Sequence, residues 1–316
     1  MSTIWIIGGG IESIPGLLKV REKGHHIVVS DGSPAAPGFR LADESFVVDT
    51  YNAEQTVEAA VSYNLQNPLH GVMAMGSDVP ETVAAVAEAL DLPGPGLEAA
   101  RLFGDKLTMK ERFLKHGIPS PWFQAVDSPR EVEKIIRERD RIMVLKPADS
   151  RGARGVIRMT PDIDAAWAFA QSQNYSPTRR VMIEDWVEGQ QISTESILCG
   201  GRVVTPGLAD RNYEWLERFR PYVIEDGGDL PARLSLTERA ELDDLILGLA
   251  EAFEIDHWTL KGDVVWTSKG PLIIEAALRL SGGYFCSHTA PLCSGVDVVS
   301  AAIRLALGEA LEWDRL

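Results

Sequence analysis

Two carboxylates in the last third of the chain stand where a metal ion could be held. Asp263 and Glu275 are twelve residues apart, on two predicted strands that a turn at 267–271 joins into a hairpin. Neighbouring strands of a hairpin bring such side chains next to each other. Two adjacent carboxylates repel unless they share a proton or a cation, and magnesium prefers oxygen ligands. The spacing therefore predicts a magnesium site, with two separately solvated charges as the alternative.

A lysine followed by a loop of small residues forms a second chemical motif. Lys146 ends an apolar run, and the loop after it contains Ser150, Arg151, Gly152, Ala153, Arg154 and Gly155. Glycine and alanine let a phosphate approach the backbone closely, and the lysine and the arginines supply positive charge. The sequence lacks the GxxxxGK[ST] pattern of a Walker loop. We therefore predict a phosphate-binding loop, and a solvated basic hairpin loop is the alternative.

An arginine and a pair of glycines follow the second carboxylate. Arg279 lies four residues after Glu275, and Gly282 and Gly283 come soon after it. A guanidinium can hold a carboxylate or a phosphate through two parallel hydrogen bonds. Arg279 is therefore a candidate catalytic residue, and a surface ion pair is the alternative.

The glycine run near the start of the chain points to a different class of protein. Gly8, Gly9 and Gly10 stand between a predicted strand and a predicted helix, and Asp31 ends the next strand. This order is typical of dinucleotide-binding folds, so a nicotinamide-dependent oxidoreductase is one hypothesis. The glycine fingerprint is incomplete, however, because Ser13 stands where its last glycine belongs. A tight strand-to-helix turn explains the same residues.

The elements that position these motifs change character along the chain. The first hundred residues alternate strands (3–7, 27–30, 45–49, 71–75) with helices (11–23, 53–65, 78–90), and Asp78 is the expected N-cap of the third helix. Such alternation predicts a doubly wound parallel sheet, an α/β fold. Beyond the Pro- and Gly-rich linker at 92–96, strands and helices follow in mixed order, which predicts an α+β region.

Composition narrows the possible partners. The chain has 316 residues with 46 acidic and 31 basic side chains, a net charge of −15. This acidity argues against a nucleic-acid partner and against a basic membrane-surface protein. We find neither a signal peptide nor a membrane span in the sequence, and its three cysteines show no metal-binding spacing. The expectation is a cytoplasmic protein.

Together these motifs resemble the ATP-grasp superfamily over essentially the whole chain, in the carboxylate–amine ligase type that includes biotin carboxylase, the carbamoyl phosphate synthetase large chain and purine-pathway ligases. Lys106, after Gly104 and Asp105, is similar to the first phosphate lysine of the family. Lys146 with the loop 150–155 resembles its second lysine and flexible loop. The resemblance implies an N-terminal pre-ATP-grasp domain (1–100) followed by a two-lobed ATP-grasp module (101–185 and 186–316).

The resemblance also implies how ATP and magnesium are bound. The run 183–189 resembles the adenine hinge of the family, in which Glu184 takes the adenine amino group, Val187 pairs with the ring, and Asp185 and Trp186 complete the segment. Asp263 and Glu275 match the two magnesium carboxylates, for one or two ions. Two residues depart from the family: Gln191 replaces the ribose glutamate, and Ala277 replaces an asparagine ligand. We expect a weaker ribose contact and one oxygen ligand fewer.

The implied activity is an ATP-dependent ligase that activates a small-molecule carboxylate for attack by an amine. The expected substrate residues lie at the carboxyl ends of the N-terminal strands and in the C-terminal lobe: Gly10, Glu12, Asp31, Asp78, Arg211, Gly282 and Gly283. A kinase-like ATP-grasp enzyme and a non-catalytic nucleotide-binding regulator are alternatives. Such enzymes often form homodimers through their N-terminal helices.

Overall fold

The N-terminal lobe is built on a parallel sheet. The computed structural model describes residues 1–316, the side chain of Arg315 apart. Four strands lie in the order β3-β2-β1-β4, with bounds β1 Thr3–Ile7, β2 His26–Asp31, β3 Glu44–Val47 and β4 Gly71–Met73. Helices cover both faces of the sheet, which is why the central strands are continuous apolar runs. The predicted α/β fold of this region is confirmed.

Three helices of this lobe correspond to the predicted ones: α1 Ile14–Glu22, α2 Ala53–Asn64 and α3 Pro80–Ala89. The predicted cap of α3 is wrong, because Val79 is its N-cap residue and Pro80 occupies the first helical position. Asp78 lies one residue earlier, and its side chain reaches other lobes instead of the helix.

The middle lobe is an antiparallel sheet packed on two helices. Its strands lie in the order β5-β8-β6-β7, with bounds β5 Phe123–Val126, β6 Met143–Pro147, β7 Ile157–Met159 and β8 Val181–Asp185. The helices are α4 Leu97–Phe103, α5 Lys106–His116, α6 Pro129–Arg139 and α7 Ala165–Tyr175. Helices α6 and α7 pack on the sheet and form a hydrophobic core of their own.

The C-terminal lobe is a five-stranded antiparallel sheet in the order β11-β10-β9-β12-β13. Its strands are β9 Gln190–Cys199, β10 Arg202–Asn212, β11 Gly227–Asp229, β12 His257–Thr267 and β13 Gly270–Ala277. Its helices are α8 Leu236–Ala252, α9 Ala290–Ser294 and α10 Val298–Ala306. The predicted hairpin is confirmed, since Asp263 and Glu275 are direct partners across β12 and β13.

The cores of the first and last lobes are continuous, whereas the main core of the middle lobe is separate. A connecting segment, residues 213–226, leaves the end of β10 and crosses to the middle lobe; we call it the strap. There the Arg158 N–H donates to the Pro221 carbonyl at 2.9 Å, and Tyr222 forms a β-bridge with Ile157. The strap therefore connects the C-terminal lobe to the middle lobe across the space between them.

Among the helices of the described chain, even the 17-residue α8 lacks the length and apolar character needed to cross a membrane.

Candidate active site

A cleft of about 980 Å³ lies where the three lobes meet. Its lining includes most of the side chains that the sequence singled out: Asp78, Lys106, Lys146, the loop 150–155, the segment 184–187, Gln191, Arg211, Asp263, Glu275 and Arg279. The other predicted residues are not part of the lining: Gly10, Glu12, Asp31, Gly282 and Gly283. The fold thus gathers residues that are up to 201 positions apart in the sequence around one cavity.

The wall formed by the middle lobe carries a buried charge triad. Lys110 and Lys146 each donate to one oxygen of Glu184 at 2.9 Å. Burial opposes ionisation of Glu184, but the two ammonium groups outweigh it and hold the pKa of that carboxylate below its usual value. Burial lowers the pKa of Lys110, which lies behind the cleft lining, so the Lys146 ammonium is the cation of the triad that faces the cleft.

The structure gives Glu184 partners that differ from the expected one. Both of its oxygens bind lysines, and the side chain is 2% exposed. Its expected contact with an adenine amino group therefore stays a prediction. Lys110 was missed from the sequence, although it follows Lys106 by four residues and so shares its face of α5.

The hinge after β8 is fixed by arginines. Asp185 accepts two hydrogen bonds from Arg139, at 2.8 and 2.7 Å, and a third from Arg141 at 3.2 Å. The guanidinium of Arg158 lies 4.8 Å from the ring centre of Trp186, and the same guanidinium forms an ion pair with Glu217 of the strap. Val187 lines the cleft directly after them. These contacts set the hinge backbone in a defined place along the cleft.

The loop 150–155 is anchored at both ends inside the middle lobe. The Lys106 ammonium donates to the Ser150 carbonyl at 2.7 Å, and the Ser172 hydroxyl donates to the Gly155 carbonyl at 2.6 Å. Between these anchors, Gly152 and Ala153 have φ values of 65° and 57°. An alanine rarely adopts this conformation, so the loop keeps its backbone exposed to the cleft at some cost in strain.

The predicted metal carboxylates lie on the floor of the cleft, among cations. Asp263 lies 2.6 Å from the Lys261 ammonium and 3.1 Å from Arg211, and Glu275 lies 3.2 Å from the Lys106 ammonium. Burial raises the pKa of Asp263, but Lys261 and Arg211 outweigh it and hold that pKa well below its usual value. Asp263 is therefore held as an anionic oxygen donor, and Glu275 lies opposite it on the neighbouring strand, which fits a magnesium ion.

The protein supplies only part of an octahedral ligand set. The described residues contain no group of three or more His, Cys, Asp or Glu side chains that could hold a metal. The position opposite Lys261 on β13 is Ala277, which has no side-chain oxygen. Phosphate oxygens and water would have to supply the other ligands, as is common for magnesium at nucleotide sites.

Two cations, Lys261 and Arg211, flank Asp263 on the floor of the cleft. Lys261 was missed, although it precedes Asp263 by two residues on one strand and so faces the same side of the sheet. Arg211 was an expected substrate residue. Its guanidinium pairs with Asp263 and, at 2.5 Å, with Glu225 of the strap, and its substrate role stays a prediction.

Asp78 was also expected to contact substrate, and the structure shows which side chains it pairs with. One oxygen lies 3.0 Å from Nε of Arg279, and the other lies 3.0 Å from Nε of Arg151. Arg279 is three-quarters or more buried, and its pKa is raised because Asp78 outweighs the effect of burial. Asp78 therefore connects two cleft arginines, and its expected substrate role stays a prediction.

Glu12 joins the glycine pair of the C-terminal lobe to the N-terminal lobe. Its Oε2 accepts a hydrogen bond from the Gly283 N–H at 3.0 Å. A Cβ at Gly282 would stand 2.6 Å from that same oxygen, so only glycine fits there without a shift. These contacts hold the N-terminal and C-terminal lobes against each other beside the cleft.

Comparison with known proteins places this geometry in a family. The model of the ATP-grasp domain matches residues 103–283, more than half of the chain. The chain belongs to the ATP-grasp family. The predicted resemblance and the fold class are thereby confirmed.

The relatives of this ATP-grasp chain are distant. An uncharacterized protein, y4rH of Sinorhizobium fredii, is 24% identical over 92% of this chain, which spans 60% of that protein's length. A D-alanine–D-alanine ligase of Bordetella avium is 27% identical, covering 69% of each chain. Among solved structures, L-amino acid ligase from Bacillus licheniformis has a TM-score of 0.78 and 18% identity, over 100% of this chain and 76% of that one.

A further solved structure of the same fold is N5-carboxyaminoimidazole synthetase from Staphylococcus aureus in complex with ADP. It has a TM-score of 0.79 and 17% identity, over 98% of this chain and 78% of that one. At this level of identity the likeness is one of fold.

The glycine run of this ATP-grasp chain is closed rather than open to a dinucleotide. Asp31 accepts hydrogen bonds from the N–H groups of Gly9 and Ser33, both at 2.8 Å, so its carboxylate fastens the turn. A Cβ at Gly38 would stand 2.8 Å from the Gly9 Cα, because the two backbones are in contact. Asp31 is thus a turn residue in this structure, and its expected substrate role stays a prediction. Gly10 alone of these glycines faces open space among the described atoms.

A buried glutamate behind the cleft was missed from the sequence. Glu195 on β9 is fully buried, and its Oε2 accepts a hydrogen bond from the Ser281 N–H at 2.8 Å. Its Oε1 has no hydrogen-bond partner among the described residues. Burial raises the pKa of Glu195 to about 7. The signal for it was weak: one acidic residue inside an otherwise uncharged strand segment, 192–198.

Proposed function

We propose that this chain is an ATP-dependent ligase that activates a small-molecule carboxylate as an acyl phosphate and transfers the acyl group to an amine. The observation that carries the proposal is the juxtaposition of Asp263 and Glu275, directly opposite each other, with Lys106 and Lys146 in the same cleft. The names of the distant relatives, D-alanine–D-alanine ligase and L-amino acid ligase, support the same class of reaction. Since the reaction consumes ATP, we infer a cytoplasmic enzyme.

ATP would lie along the cleft between the middle and C-terminal lobes. The hinge 185–187 would hold the base through its backbone, Gln191 would accept a hydrogen bond from the ribose, and the loop 150–155 would cover the phosphates. Lys146, the cation of the triad that faces the cleft, would attract the phosphate chain. The ADP-bound neighbour of the same fold is consistent with this use of the cleft.

The chemistry has two steps. A carboxylate oxygen of the substrate attacks the γ-phosphorus of ATP, and the bond to the β-phosphate oxygen breaks, releasing ADP. The amine then attacks the acyl carbon, inorganic phosphate leaves, and the amine nitrogen loses a proton. The first step brings two anions together, so its barrier falls when nearby cations neutralise the developing charge.

The chain supplies those cations on two sides. Lys106, Lys146 and Arg279 surround the position where phosphate and carboxylate would meet. Asp263 and Glu275 are the residues that would hold magnesium, which supplies further charge neutralisation when bound. Closure of the loop 150–155 would exclude water, which otherwise hydrolyses an acyl phosphate.

The test is a screen for ADP release across carboxylic acids and amines, with the products identified by mass spectrometry. We expect ADP release that depends on both an acid and an amine, with one amide per ADP. Lys146→Ala should reduce the rate by a factor on the order of 10². A stable phosphorylated product formed without any amine would contradict the ligase and indicate a kinase-like enzyme. Nucleotide binding without turnover across the whole screen would instead indicate a regulator.

A further inference from the structure

One carboxylate connects all three lobes at the mouth of the phosphate loop. Asp78 follows the last strand of the N-terminal sheet, Arg151 belongs to the loop 150–155 of the middle lobe, and Arg279 follows β13 of the C-terminal lobe. The two oxygens of Asp78 are divided between the arginines, at 3.0 Å each. A pairwise surface ion pair needs only one oxygen; here each oxygen holds a different lobe.

The N-terminal lobe contacts Arg151 a second time. The guanidinium of Arg151 lies 4.8 Å from the ring centre of Tyr51, which precedes α2. Arg151 is thus held between a carboxylate and an aromatic ring of the same lobe, and each contact alone is a known way to fix a guanidinium. The loop is then held at three points, because Lys106 and Ser172 anchor its two ends within the middle lobe.

Arg279 is oriented by the same carboxylate. Its Nε lies 3.0 Å from an Asp78 oxygen, an ion pair without a hydrogen bond, and its Nη1 donates to the Leu280 carbonyl at 3.2 Å. Because Nε lies against Asp78, the opposite edge of the guanidinium points away from that carboxylate. Arg279 also lines the cleft. The side chain of Asp78 is 24% exposed, so the two ion pairs are screened only in part by water.

We propose that Asp78 is a positioning residue that docks the loop 150–155 onto the N-terminal lobe and at the same time fixes Arg279, so that the cleft is shielded from water during acyl transfer. This role rests on the proposed ligase function only for its consequence in catalysis. The docking itself is a property of the free protein and can be measured without turnover.

The first experiment is limited proteolysis, because trypsin cleaves after arginine and the loop contains Arg151 and Arg154. Asp78→Asn keeps the shape of the side chain but removes its charge. We expect cleavage after Arg151 to become about fivefold faster. Without the ion pair to Asp78, the loop opens locally more often, and trypsin cleaves the open form. Mass spectrometry of the fragments identifies the site, and circular dichroism verifies that the variant is folded.

Two further variants separate docking from general loosening. Tyr51→Leu removes only the exposed ring on Arg151 and should speed the same cleavage less than Asp78→Asn does. Glu81→Gln is the matched control, because Glu81 lies three residues after Asp78 and pairs with the exposed Arg101 outside the cleft lining. It should be cleaved at the wild-type rate.

The second experiment measures coupling in turnover. With a substrate pair found in the screen, wild type should form one amide per ADP, whereas Asp78→Asn should release roughly two or more ADP per amide because water intercepts the acyl phosphate. An Asp78→Asn protein that is cleaved no faster than the Glu81→Gln control, or that stays tightly coupled, overturns the proposal. If wild type shows no acid-dependent ADP release, the ligase function fails, and the proteolysis still decides whether Asp78 docks the loop.

Discussion

The two walls of the cleft hold their charges in different ways. On the middle-lobe wall, Lys110, Glu184 and Lys146 form a triad whose side chains are between 1% and 11% exposed. On the opposite floor, Glu275 pairs with Lys106 while its own side chain is 38% exposed. The first arrangement is sealed from water, and the second is open to exchange with a ligand.

This difference indicates a division of work. Charges buried with matched partners are costly to rearrange, so the middle-lobe wall is a fixed frame. Carboxylates that face the cleft can give up a lysine for a metal ion, because solvent and ligand both reach them. The chain is acidic overall, at −15, yet its cleft is a local concentration of cations, which is what a small polyanion requires.

The largest expected effect comes from a substitution on the floor of the cleft. Glu275→Ala removes one of the two carboxylates that would hold magnesium, and it does so without removing core packing. We expect substrate-dependent ADP formation to fall by a factor on the order of 10³. The unfolding midpoint should stay near that of wild type. Glu254→Gln, at an exposed carboxylate remote from the cleft lining, is the control; unchanged turnover in the Glu275 variant would refute the metal assignment.

The next largest effect comes from a substitution in the buried charge triad of the middle-lobe wall. Glu184→Gln removes the buried carboxylate that both Lys110 and Lys146 bind, which should cost about 3 kcal/mol of unfolding free energy. Chemical denaturation at neutral pH measures it.

Asp185→Asn is the matched control, one residue away on the same strand. The partners of Asp185 are more exposed, at 26% for Arg139 and 56% for Arg141. Water screens such pairs, so this substitution should cost about 1 kcal/mol or less. Equal losses in the two variants would mean that the frame is not sealed in the way the contacts suggest.

Local patterns in the sequence explain why most of the fold was predictable. The buried run of β1 and the turn between β12 and β13 each contain their own signal, in apolar periodicity and in turn residues. Short elements such as α4 and β5 were missed, since four to seven residues hold little periodicity. The carboxylate pair was predictable because register follows from the hairpin turn.

Contacts between lobes could not be predicted from local sequence patterns. Asp78 was expected to cap a helix or bind a substrate, and it binds arginines that are 73 and 201 residues away. Lys110 is an ordinary helix lysine until β8 places Glu184 against it. Such pairings depend on how separately folded layers pack, which no short window of sequence encodes.

A third prediction sharpens the contrast through pH. Burial raises the pKa of Glu195 to about 7, from an ordinary value of 4.5. Stability from the neutral form is therefore complete below pH 4.5 and is lost as the pH rises through 7. Glu195→Gln should change the free energy of unfolding little at pH 5 and should raise it by about 2 kcal/mol at pH 8. Thermal unfolding of both proteins across this range measures it, and a constant difference would contradict the buried charge.

The smallest effect concerns Gln191, which is proposed to accept a hydrogen bond from the ribose. Gln191 lines the cleft, and its neighbour Gln190 instead donates to Asp210 at 2.5 Å. A carboxylate accepts a ribose hydroxyl more strongly than an amide does, so Gln191→Glu should lower KM for ATP about threefold, with kcat little changed. Gln190→Glu is the matched control, because successive strand residues face opposite sides and its side chain should leave KM unchanged or raise it. If both variants weaken ATP binding alike, the added negative charge outweighs the hydrogen bond, and Gln191 does not face the ribose.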